Sequence, residues 1–247
     1  MKANREKFLK VLESVQPGLS AKAILEQSDC IIFRKGHAWT FNDEVSCRCR
    51  SGLDSSFEGA VPAQKLLEII RKLSEDEVEL LPEEAQLVIS GKRKKMGVRL
   101  ESQITLPVCS EKPESWTPLP DGFADAVTTV GQVASRDETQ FNLTCIRFHP
   151  KWVEATDRFQ ICRWRMATGF AEPVLVRQSS VRHAATLGMA ELAQTESWLH
   201  FRNGDGLVLS CRRFVEEFPS EELTRFLEGE GTKTALPKGL AEAVEKA

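Results

Sequence analysis

The feature that most restricts how this chain folds is an internal repeat at a spacing near 115 residues. Phe148 follows Phe33 by 115 positions, Trp152 follows Trp39 by 113, and Asp157 follows Asp43 by 114. In the later copy Trp152-Val-Glu-Ala-Thr alternates apolar and polar residues, as a half-buried strand does. Ala155-Thr-Asp157-Arg then supplies short side chains that bond their own backbone, and Phe159 to Trp164 returns as a second strand. The pattern predicts a β-hairpin. Its echo over residues 31–50 implies one building block used twice.

The flanking segments repeat as well. Phe8, Leu9, Leu12 and Val15 form one helical stripe that Pro17-Gly18 ends, and Phe123, Val127, Val130 and Ala134 form another, Phe123 standing 115 positions after Phe8. Residues 24–50 read as three short strands. Val61-Pro62 opens a second helix with Leu66, Leu67, Ile70 and Leu73 inward, and Pro173-Val174 opens its counterpart, with Val181, Ala184, Ala185 and Leu187. Strands are expected at 77–81, 85–90 and 95–100, then at 140–148, 152–156, 159–166, 197–202 and 207–213. Asn203-Gly-Asp-Gly206 is a hairpin turn. Four prolines between 107 and 120 predict an extended connection. The expected architecture is α+β: repeated domains, each with two helices packed on antiparallel sheets. The boundaries are 1–112 and 113–219. Residues 220–247 form a linker and the opening of a third unit, because Leu240 follows Phe123 by 117 positions.

Composition narrows the function. The 247 residues are 41% hydrophobic and 28% charged, enough for a packed core. No apolar run approaches the roughly 18 residues of a membrane span, so no membrane partner is expected. Seven irregularly spaced cysteines argue for a reducing cytoplasm and against a disulfide framework. Cys47 and Cys49 lack the companions a metal site needs, so no metal or other cofactor is expected. His37, His149, His183 and His200 stand in no nucleophile motif, and Ser90-Gly-Lys-Arg lacks the frame of a phosphate loop. The sequence points away from catalysis.

What remains is surface charge. The net charge is −3, yet the exposed helix sides carry Arg5, Lys7 and Lys10, then Lys65, Arg71 and Lys72, then Arg177 and Arg182, with His183 beside them. The helix at 123–134 has Asp125 and no Lys or Arg. These cations are either ordinary solvated charges or a diffuse lining for a DNA backbone, which needs no sequence readout and permits sliding. Repeated units that pair their edge strands close into rings, and such closure removes exposed sheet edges.

With Val61-Pro-Ala63 before the second helix, Ala155-Thr-Asp157 in the hairpin and Phe218-Pro219 after the last strand, the chain resembles the bacterial β sliding clamp, the processivity subunit of DNA polymerase III, as a viral or divergent member. The resemblance implies the DNA-clamp fold and a ring-shaped homo-oligomer around double-stranded DNA. That ring is a dimer if a third domain exists and a trimer if not, with six domains around the hole either way. It implies a processivity factor in DNA replication that binds DNA polymerase and the clamp loader through short peptides. The implied peptide groove has Leu143, Ile161 and Pro219 as its floor and Gln140, Thr156, Asp157 and Arg158 at its rim. Arg158 replaces the family's glycine and implies a differently shaped turn. For Leu143 and Ile161, core packing is the competing reading. The alternative function is a clamp-like scaffold, a protein-interaction module that encircles nothing.

Overall fold

The computed structural model describes residues 1–20, 25–92, 94–107, 109, 111–232, 235, 237 and 239–240. The first half runs β1 (Lys2–Asn4), α1 (Arg5–Ser14), β2 (Cys30–Arg34), β3 (His37–Phe41), β4 (Val45–Arg50), β5 (Gly59–Pro62), α2 (Ala63–Lys72), β6 (Glu77–Pro82), β7 (Gln86–Ser90) and β8 (Lys95–Arg99). The second half runs β9 (Thr117–Pro118), α3 (Phe123–Gly131), a 3-10 segment (Glu138–Thr144), β10 (Cys145–His149), β11 (Trp152–Thr156), β12 (Ile161–Arg165), β13 (Val174–Arg177), α4 (Gln178–Thr186), β14 (Glu191–Gln194), β15 (Trp198–Arg202) and β16 (Val208–Phe214). The order of strands and helices is the same in both.

So is the pairing. β2 pairs β3 and β5, and β3 pairs β4, as β10 pairs β11 and β13, and β11 pairs β12. The ladder β1-β6-β7-β8 is matched by β9-β14-β15-β16. All of these pairs are antiparallel. Register follows the 115-residue spacing without slippage from β2 to β5: Phe33↔Ala38 becomes Phe148↔Val153, Phe41↔Ser46 becomes Thr156↔Ile161, and Cys30↔Pro62 becomes Cys145↔Arg177. β16 also pairs β4, Leu209 opposite Cys47, so the two halves share one antiparallel sheet.

Two sequence matches shift under this register. The counterpart of Trp39 is Glu154, not Trp152, and the counterpart of Asp43 is Arg158, not Asp157; Asp43 and Arg158 both have positive φ, 76° and 80°. Val61-Pro62 is answered by Val176-Arg177, while Pro173 precedes β13.

The helices form where apolar residues recur at helical spacing, and each pair lies against the sheet of its own half. Asn4 caps α1 by accepting a hydrogen bond from the Lys7 amide at 3.0 Å. Phe8 stacks on Phe33 at 6.1 Å, and Phe123 stacks on Phe148 at 5.6 Å. All four rings are buried. Each such side chain contributes roughly 1.5–3 kcal/mol by leaving water. Leu66, Leu67, Ile69 and Ile70 of α2 and Val181 and Ala184 of α4 complete the stripes. No helix among the described residues is long and apolar enough to cross a membrane.

The chain divides into two compact units, Met1–Glu216 and Glu217–Ala247. Within the second, α5 (Ser220–Leu227) follows Pro219. The apolar positions expected to open a third unit at 234–244 fall largely outside the described residues.

Candidate nucleic-acid interface and partner groove

The inward stripes of the helices leave their opposite sides in solvent. Lys7 and Lys10 of α1 and Arg182 of α4 are exposed and form no ion pair with the described residues. The α2 cations are exposed but paired: Lys65 and Lys72 both reach Glu68, and Arg71 reaches Glu13 of α1 at 2.8 Å. Pairs this exposed are worth little, ~0–1 kcal/mol, and exchange readily for a phosphate. Arg5 donates its Nε to the Glu75 carbonyl at 3.1 Å. Arg177 differs. Its guanidinium is bound by Glu44 and Glu138, lies 5.2 Å from the Phe141 ring centre, and has a side chain only 15% exposed. It joins the two halves and has little surface to offer DNA. His183 stays below the ordinary imidazole range because of burial, reinforced by Arg182 beside it.

The predicted hairpin is β11–β12. Its turn is held by Asp157, which accepts the amides of Gln160 at 2.7 Å and Phe159 at 2.9 Å; those bonds hold its carboxyl below the usual range. Thr156 is buried and donates to the Gln160 carbonyl at 2.8 Å. Arg158 takes φ 80°, the left-handed conformation that glycine adopts most easily, so the substitution is absorbed by backbone strain.

Of the seven predicted groove residues, Gln140, Asp157 and Arg158 line one open cavity of about 560 Å³, with Gln132, Arg136 and Phe159 among its other walls. Phe159 is 92% exposed. Leu143 is a core residue, 3% exposed, whereas Ile161 is half-buried at the start of edge strand β12. Pro219 belongs to the second unit, immediately before α5. Phe159 lies outside the predicted groove set; an aromatic side chain at a hairpin tip has no strand partner to cover it.

Burial pushes the Cys47 thiol up to about 12 and also raises Cys49, so both remain protonated thiols. Among the described residues no group of three or more His, Cys, Asp or Glu is placed to hold a metal ion.

No protein-family model matches this chain. No curated protein sequence matches it. Solved structures do. The DNA polymerase III subunit beta of Pseudomonas aeruginosa superposes with a TM-score of 0.75 at 16% identity, covering 90% of this chain and 66% of that one. The DNA polymerase III beta chain of Streptococcus pneumoniae gives 0.77 at 14% identity, and the DNA polymerase sliding clamp of Bacillus subtilis gives 0.76 at 13%. The chain therefore spans 66% of the length of the Pseudomonas clamp and shares its fold over that span. The fold is that of the DNA clamp, α+β with antiparallel sheets.

Proposed function

We propose that this chain is a sliding clamp: a non-catalytic processivity factor that encircles duplex DNA and tethers a DNA polymerase to it, in the reducing cytoplasm that suits its free thiols. The observation that carries the reading is the joint between the repeats. β4 pairs β16, which sets two equivalent helix-and-sheet units edge to edge in one sheet. We take the units as clamp domains 1–112 and 113–219. Repetition of that joint bends a strip of domains into a ring with the helices inside. The inner wall then carries Arg5, Lys7, Lys10, Lys65, Arg71, Lys72 and Arg182, and a duplex is held through its phosphates without readout of sequence. Arg177 belongs to the joint.

Polymerase and clamp-loader peptides are assigned to the hairpin cavity, with Gln140, Asp157 and Arg158 at the rim and Ile161 beside it. Leu143 and Thr156 support it from the core.

Two experiments test the reading. Protein loaded on a nicked circle should stay bound, and should be lost when the circle is cut; equal loss before and after cutting rejects encirclement. Lys7→Glu with Lys72→Glu should leave the fold intact and weaken DNA association, with a shallower salt dependence. The second reading is a scaffold without DNA. It is favoured by α3, which presents Asp125 and no Lys or Arg, and predicts unchanged affinity in that double variant.

A further inference from the structure

The two repeats diverge at the position of Trp39, on the sheet face turned away from the helices. Phe33, Ala38, Cys47 and Cys49 point into the helix-packed core, so the alternate residues of β2, β3 and β4 lie on the other face. Register sets these in adjoining rows, Trp39 opposite Arg48, and His37 between Arg34 and Arg50. Lys35 stands at the turn beside them.

In the second repeat the same positions form a closed electrostatic unit. Arg163 and Arg165 are the counterparts of Arg48 and Arg50, and Glu154, the counterpart of Trp39, binds Arg163 at 2.6 Å and Arg147 at 2.7 Å. The first repeat keeps both arginines and replaces the carboxylate by an indole. Arg48 lies 5.3 Å from the Trp39 ring centre, a contact that leaves its charge unneutralised. Arg34, Lys35, Arg48 and Arg50 form no ion pair with the described residues, Asp54 and Glu58 of the adjoining loop included. Elsewhere on this face Arg202 is bound by Glu191 and Arg212 by Asp43. Arg34, Lys35 and Arg50 are exposed, while Trp39 is half-buried and braced by the apolar cluster around Ile32.

Neighbouring positive charges without a carboxylate suit an external anion, and the ring in their midst narrows its class. Phosphates satisfy the arginines, and an unpaired base offers the indole a free face, which a duplex keeps stacked inside. An acidic peptide answers the charges and leaves the ring without a role. We infer that this patch binds single-stranded nucleic acid, with the backbone along Arg34, Arg48 and Arg50 and a base against Trp39. The site is separate from the helix faces assigned to duplex DNA and does not depend on ring formation.

The test is the anisotropy of a fluorescent oligothymidylate titrated with the full chain at low salt. Arg34→Ser/Arg50→Ser should weaken binding about tenfold, lower the slope of log affinity against log salt by about 1.4, and leave the melting temperature unchanged. Trp39→Leu should weaken binding about fivefold or more with the salt slope unchanged. Lys7→Glu with Lys72→Glu, on the helix faces, should change it by less than about twofold. No binding by the native chain, undiminished binding in the arginine variant, or an equal loss in the helix variant overturns the inference. So does displacement by a poly-glutamate peptide as effective as that by unlabelled oligothymidylate, which assigns the patch to an acidic protein segment. If Trp39→Leu does not fold, the arginine variant, at exposed positions, decides alone. Retention on nicked circles is read independently, so failure here leaves the clamp reading standing.

Discussion

At the residue scale, burial separates side chains that pattern alone left ambiguous. Leu143 and Ile161 both read as groove floor or core. Leu143 is buried, so Leu143→Ala should destabilise the protein by ~2–5 kcal/mol through the cavity it leaves. Ile161 is half-buried at an edge, so Ile161→Ala should cost less than about 1.5 kcal/mol and show its main effect in peptide binding. Denaturant titration beside a peptide-binding isotherm separates the two, and equal stability losses would contradict the assignment.

His200 gives a pH dependence. It is buried, with Nδ1 2.7 Å from Ser210 Oγ and Nε2 3.0 Å from Thr195 Oγ1, and Trp116, Glu111 and Arg48 nearby. Burial lowers its pKa to about 4, opposed by Glu111 and aided by Arg48. The unfolded chain then binds the proton more readily than the folded one. This contribution is complete above the unfolded value of ~6.5 and is lost as pH falls toward about 4, on the order of 3 kcal/mol in all. Urea unfolding across that window should show the slope in the native protein and a reduced slope in His200→Gln.

At the scale of elements, the long features were legible and the short ones were not. The stripes at Phe8-Leu12-Val15 and Phe123-Val127-Val130 and the hairpins around 31–50 and 152–165 come from periodicity over many residues. β1, β5, β9, β13 and β14 are two to four residues each, too short for alternation to register, and are defined by their partners. The strand expected over 140–148 begins only at Cys145; its first residues lie in the 3-10 segment Glu138–Thr144, which Asp137 starts by accepting the Thr139 amide at 2.9 Å. The Trp39–Trp152 match misled because a slip of two residues keeps a side chain on the same sheet face, so alternation cannot detect it. The helix faces were legible as charge. The commitment of Arg177 to Glu44 and Glu138 was not, because those partners stand 133 and 39 positions away.

The outer face of the β10–β11–β12 ladder shows how pairing protects a charge. Glu154 is fully buried between Arg147 at 2.7 Å and Arg163 at 2.6 Å, and Arg163 lies 4.4 Å from the Trp152 ring centre. Removing the carboxylate leaves two arginines facing each other. Glu154→Ala should therefore cost ~3–5 kcal/mol, far more than loss of an exposed pair such as Lys65–Glu68. Thermal unfolding of the two variants side by side checks the difference.

At the scale of the whole molecule, the account rests on one joint used repeatedly. Within the chain it links two equivalent units, and the fold it shares with bacterial clamps covers 90% of its length. The most direct measurement is electron microscopy of the assembled protein, with class averages along the axis of the particle. The account predicts a closed ring of six similar lobes around a hole wide enough for a duplex. Open strips, or compact particles without a central hole, would contradict it.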